Sequence, residues 1–319
     1  MNKEKVKKQC LLSIASCLMI FSNAQDLKLS QYKMAPTFYN PANTGNFNGT
    51  FRGATIYSNQ KTDSATLNHA IVFGDYKIEQ EHGSVGLGIS YYQNFQQNFR
   101  LTSKYLSASI AKHFYLDEDK YHMLSFGAQV TFASATIDPA RTNYSKTIAG
   151  GGFDMVGTAE STFDRFKDFN LGAMYTYKDE EITIQAGLGA YHVFMPDISI
   201  TSIPTKQERR LDFSMKTIIT LDVDNELELS TMLWGEELDL VGPKPAYVET
   251  LFNASLERFV SETSAIYLGM GTRSLKSITP LFGFSINNNA LRVIASYERP
   301  INTSLYNVTR GELSMMVTF

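Results

Sequence analysis

The chain closes with Glu312-Leu-Ser-Met-Met-Val-Thr-Phe319, in which polar and apolar residues alternate up to an aromatic carboxy-terminus. Successive side chains of an extended chain point to opposite sides, so Leu313, Met315, Val317 and Phe319 share one face. Such a face suits the last strand of a transmembrane β-barrel, with Phe319 as its barrel-assembly end. An edge strand of a soluble sheet alternates in the same way. One segment therefore leaves the fold open, and the rest of the chain has to decide it.

Working back from that end, the same pattern recurs. Val85, Leu87, Ile89 and Tyr91 alternate with Gly86, Gly88 and Ser90; Leu124, Phe126, Ala128, Val130 and Phe132 alternate with Ser125, Gly127, Gln129 and Thr131. Leu227, Leu229 and Leu233 oppose Glu226, Glu228 and Ser230, and Leu291, Val293, Ala295 and Tyr297 oppose Arg292, Ser296 and Glu298. About 14 segments of this kind run from Thr50–Ser58 to Ala265–Met270, Ser277–Ile286, Ala290–Tyr297 and Glu312–Phe319, an even count as bacterial barrels require.

The connections discriminate better than the strands. Short polar links (Lys77–Gly83, Leu116–Lys120, Lys178–Glu181, Asp222–Asn225, Asn287–Asn289) follow even-numbered segments. Long ones (Ala135–Asp168, His192–Arg210, Gly235–Ala246, Glu298–Gly311) follow odd-numbered segments, so they share one end of the molecule. A sandwich has no reason to sort its loops by parity, whereas membrane barrels pair short periplasmic turns with long extracellular loops. The sequence thus predicts an all-β fold, a transmembrane antiparallel β-barrel over 50–319, with both mature termini periplasmic.

Residues 1–24 read as an export signal: a basic start with Lys3, Lys5, Lys7 and Lys8, an apolar run from Leu11 to Phe21, and Ser22-Asn23-Ala24 as the cleavage site. Ile14-Ala15-Ser16-Cys17 imitates a lipoprotein box, but a cut there would leave the apolar Leu18–Phe21 exposed. Both cysteines, Cys10 and Cys17, lie in this segment, so the mature chain carries no disulfide. Four lysines and one glutamate go with it, leaving a net charge of −6, no footprint for nucleic acid. The mean hydropathy of −0.18 fits a barrel whose lumen-facing residues dilute the apolar ones.

No motif for chemistry emerges. The five histidines lack zinc spacing and read as surface, turn or interface residues, and Asp117-Glu118-Asp119 reads as a hairpin turn rather than a calcium loop. Gly150-Gly151-Gly152 has no Lys-Ser/Thr behind it, and the period-2 glycines Gly86, Gly88, Gly187 and Gly189 spare room on the lumen face. No enzymatic activity and no cofactor or metal are expected.

Residues 25–49 form an irregular leader. Gln25-Asp-Leu-Lys-Leu-Ser-Gln31-Tyr32 is followed by Pro36-Thr-Phe-Tyr39-Asn40-Pro41-Ala-Asn-Thr-Gly45. This stretch resembles the opening of PorP/SprF-family proteins of the type IX secretion system, with Leu29 in place of the usual aromatic residue and Asn43-Thr44 in place of Tyr-Ala. Ser84–Tyr92, Leu124-Ser-Phe-Gly-Ala ahead of Ile137-Asp138, Phe169-Asn-Leu-Gly-Ala and Ser296-Tyr297-Glu298 match along the remaining chain. The resemblance implies an outer-membrane barrel that assists export or surface attachment of secreted substrates with a type B C-terminal domain, gliding adhesins among them. It also implies contacts with other periplasmic or outer-membrane secretion components. An outer-membrane diffusion or uptake channel is the alternative.

From its own residues, the leader is too irregular to span lipid and too apolar to hang in water. It is expected to fold into the lumen or periplasmic mouth, a free periplasmic tail being the other placement. Phe153, Met155, Phe163 and Phe166 in the longest loop form either a partner-binding patch or a cover over the mouth.

Overall fold

Fourteen antiparallel strands close into a barrel in which β1 pairs with both β2 and β14. The computed structural model describes residues 27–63, 65–97, 101–137, 161–198, 206–236, 247–304 and 306–319. The strands are β1 Phe51–Lys61, β2 Thr66–Gln80, β3 Gly83–Gln96, β4 Leu101–Tyr115, β5 His122–Ile137, β6 Ser161–Lys178 and β7 Ile182–Tyr191. They continue as β8 Arg210–Asp222, β9 Asn225–Glu236, β10 Tyr247–Ser261, β11 Ser264–Arg273, β12 Ser277–Ile286, β13 Leu291–Pro300 and β14 Thr309–Thr318. Closure leaves no free sheet edge, so the ladder satisfies its own hydrogen-bonding groups, as a lipid surrounding demands.

Alternation places the two faces as the sequence implies. Leu87, Ile89, Ile110, Phe126, Leu188 and Leu313 stand exposed on the outside, an apolar surface suited to lipid, whereas Ser90, Ser107, Gln129 and Ser314 are buried inside. The links after even-numbered strands are all short, and the connections 138–160, 192–209, 237–246 and 301–308 all follow odd-numbered strands. The barrel therefore has a short-turn rim and a long-connection rim. At the short turns, carboxylates cap the chain reversal. Asp117 accepts from the backbone of Tyr121 and His122. Asp179 accepts from the Tyr177 hydroxyl and from the Ile182 N–H, and these bonds hold its carboxyl below the usual range.

The strands run further than apolar alternation indicates. The β5–β6 ladder reaches Ile137↔Ser161, so Phe163 and Phe166 belong to a strand rather than to the long loop. β11 continues to Arg273 and β14 begins at Thr309. Backbone pairing depends on neither lipid nor side-chain polarity, and no proline interrupts these stretches, so the ladder continues past the apolar belt.

Candidate functional site in the barrel lumen

The leader lies inside the barrel. A 3₁₀ turn at Tyr32–Met34, one helical turn at Pro36–Tyr39 and a second 3₁₀ turn at Pro41–Asn43 fold it into a knot across the lumen. Pro36 and Pro41 each open a turn, where a missing N–H costs nothing. Asn40 links the two: its Oδ1 accepts from Ala42 N at 2.9 Å, and its Nδ2 donates to the wall carbonyls of Ala173 and Leu188. Leu29, Ser30, Gln31, Ala35, Ala42 and Thr44 are fully buried.

The glycine stripe seats this knot. A Cβ built at Gly127 or Gly172 would fall under 3.0 Å from the Pro41–Ala42 backbone or the Asn40 side chain, and one at Gly189 would meet Tyr39 O at 2.9 Å. Gly45, at φ +76°, lies so close to Gly86 that an added Cβ would sit 2.5 Å from the Gly86 Cα. Only glycine serves at this turn, since L-residues rarely adopt that φ and the space is already filled. The room on the lumen face is taken by the chain's own leader.

Polar contacts fix the register. The Glu312 carboxylate accepts from two successive backbone groups, Ser30 N at 2.9 Å and Gln31 N at 2.8 Å. The Gln31 amide donates to Ser296 Oγ and accepts from Ser314 Oγ. Asp75 receives the Gly45 N–H and a two-point contact from Arg52, which also donates to Asn43 O. His113 Nε2 lies 2.9 Å from Thr44 O, which can only accept, so the neutral ring carries its proton there and takes a hydrogen bond from Ser125 Oγ at Nδ1. Phe38 wedges between Phe73 and Tyr92, and Tyr39 packs between Tyr32 and Trp234.

A buried ionic cluster stands beside the start of the leader. Arg273 reaches Glu249 at 2.6 Å and Glu298 at 3.0 Å, and donates to Lys28 O at 3.3 Å. Glu298 also meets Arg310, the Tyr306 hydroxyl and Ser30 Oγ. Glu249 is the third residue of β10 and Arg273 the last of β11, so the leader begins under the long-connection rim. It descends to Lys33, which pairs with Glu228 low on β9, and leaves toward β1 at the short-turn rim. Phe319 stands at that second rim, with its carbonyl accepting from Thr50 and Phe51 and its ring exposed. The described chain therefore begins and ends at opposite rims.

Gln31, Tyr32, Pro36, Tyr39, Asn40, Pro41 and Gly45 are thus brought together in the lumen. The loop residues are not: Phe166 lies in β6 with its ring 6.3 Å from Tyr105, Phe163 also stands in β6, and Phe153 and Met155 lie outside the described residues. Sequence reasoning missed Glu312, His113, Arg273 and Arg310 as leader contacts. For Arg273 and Arg310 the signal was a carboxylate at lumen parity on the adjacent strand, Glu249 and Glu298. Among the described residues, no group of three or more His, Cys, Asp or Glu side chains could hold a metal ion.

Fold and contents define the class: an outer-membrane β-barrel whose lumen is occupied by its own amino-terminal leader. The chain belongs to the PorP/SprF family, since the family model for "Type IX secretion system membrane protein PorP/SprF" matches residues 21–319. Among curated proteins the sequence finds no match. Similar solved structures include the Pseudomonas putida toluene transporter TodX, at 10% identity and TM-score 0.53 over 92% of this chain and 94% of that one. The Ralstonia pickettii toluene transporter TbuX aligns at 12% identity and TM-score 0.52 over 89% and 92%. The CymD monoaromatic hydrocarbon channel aligns at 9% identity and TM-score 0.52 over 90% and 93%. At these identities the likeness is one of fold alone.

Proposed function

We propose that this protein is a non-enzymatic accessory of type IX secretion that assists export or surface attachment of substrates with a type B C-terminal domain, gliding adhesins included. The observation that carries this reading beyond family membership is the lumen packed with Leu27–Gly45. A diffusion or uptake channel needs an open path, and a leader packed against the lumen wall supports the accessory reading over that one. The connection 138–160, with Phe153 and Met155, is the proposed surface for the folded substrate. Isolation of the tagged protein from outer membranes should recover a surface adhesin or its C-terminal domain, and reconstituted protein should show little steady conductance. Companion-free protein with a large open conductance would establish the channel instead.

In this reading the long connections face the cell exterior and the short turns the periplasm. The leader then starts beneath the outer mouth. An epitope placed ahead of Leu27 is expected to be detected on intact cells, whereas a cysteine at Asn288, in the β12–β13 turn, should react only after permeabilisation. The reverse pattern would invert the orientation.

A further inference from the structure

Beneath the leader, a cavity of about 450 Å³ lies at the short-turn end of the barrel. Seven of the side chains around it are cationic and only Glu228 is acidic. Four of those cations are matched: Lys33 by Glu228, Arg52 by Asp75, Lys77 by Glu79 and Arg292 by Glu257. Three carry surplus charge. Lys120 rests over the Tyr115 ring, Lys178 donates to Asn48 Oδ1 at 3.2 Å, and Lys216 shares the charge of Glu228 with Lys33, which holds it directly.

A second observation is independent of charge. Thr176, which also lines this space, is 6% exposed, and its Oγ1 has no hydrogen-bond partner. A buried hydroxyl left unpaired costs free energy, and so do two ammonium groups that share one carboxylate. Both deficits lie on one cavity, and an oxyanion would relieve both. Cations set in a low-dielectric recess also concentrate their field at its opening.

The surrounding turns restrict which anions can arrive. Glu81, Asp117–Asp119, Asp179–Glu181, Asp222, Asp224 and Glu262 place carboxylates around the same rim. An acidic collar repels polyanions, yet it attracts a molecule that is cationic along its length and anionic at its tip. A peptide α-carboxylate preceded by basic residues has that charge order.

We propose that this basic vestibule is a binding site for the carboxy-terminal carboxylate of a polypeptide, received by Lys216, Lys178 and Thr176. The site is independent of which substrate the secretion machinery serves, so its test on purified protein stands apart from the reading above.

The probe is an acetylated Gly-Lys-Gly-Lys-Ser peptide with a free carboxy-terminus, compared with its carboxamide and with inorganic phosphate, titrated onto the full-length protein in detergent. The free acid should bind at least about tenfold more tightly than the amide, since a charge-assisted contact is being removed. Lys216→Met should weaken the free acid by about ten- to a hundredfold while leaving the amide unchanged, and Lys216→Arg should retain most of the affinity. Because Glu228 keeps its direct contact with Lys33 when Lys216 is removed, Lys216→Met without peptide should unfold no earlier than the native protein; a merely structural lysine would lower its midpoint. Equal binding of acid and amide, or undiminished binding by Lys216→Met, would overturn the assignment. So would phosphate binding that the peptide cannot displace, which would mark the vestibule as a site for an adventitious ion only.

Discussion

Replacing Gly127 by Val should unseat the leader and open the barrel. A Cβ there meets the Pro41–Ala42 backbone at under 3.0 Å, and neither that backbone nor the β5 ladder has a flexible end that could give way. Overpacking a filled site costs about 1–3 kcal/mol, and about 3 kcal/mol multiplies the unseated fraction roughly a hundredfold. The outer ladder is untouched, so the barrel should remain folded and compact on unboiled gels. Reconstituted G127V should therefore pass small solutes at least about tenfold faster than the native protein. Gly172→Val, which meets Asn40 from the next strand, should do the same. If both variants stay as closed as the native barrel, the leader does not block the lumen.

The largest stability effect is expected at Arg273. Its side chain is 1% exposed, lies over the Trp234 ring, and joins Glu249, Glu298 and the Lys28 carbonyl. Arg273→Met keeps most of the volume but leaves two buried carboxylates short of a partner. Breaking a buried ion pair from one side costs about 3–5 kcal/mol, because the remaining charges stay desolvated. A urea titration should show that loss. The double variant Arg273→Met with Glu298→Gln should recover part of it, since fewer charges are then left unmatched. A single variant within about 1 kcal/mol of native would mean that water reaches the cluster and screens it.

Arg273 and Arg310 also show where the sequence was hard to read. Both lie past the apolar part of their strands, and a charge next to a presumed loop looks like a solvated residue. In the barrel they are the last lumen-facing residue of β11 and the first of β14, paired through Glu298 on β13. Phe166 failed in the opposite sense. Its aromatic ring suggested an exposed patch in a loop, but continued pairing carried it into β6 and turned it inward against Tyr105.

The leader was legible in part. Its irregularity and apolar content marked it as unfit for either lipid or water, and the period-2 glycines marked spare room on the lumen face. What joined the two observations, Asn40 and Pro41 against Gly127 and Gly172, lies more than 80 residues apart in the chain and follows no local rule.

By itself, then, the amino-acid order determined the barrel: period-2 alternation sets which side of every strand meets lipid, and loop parity sets which end is long. Both are local properties, readable strand by strand and loop by loop. The tertiary structure alone decided what fills the lumen, which charges neutralise one another across it, and at which rim the leader begins. Those depend on contacts between residues hundreds of positions apart, brought together only when the first and last strands pair.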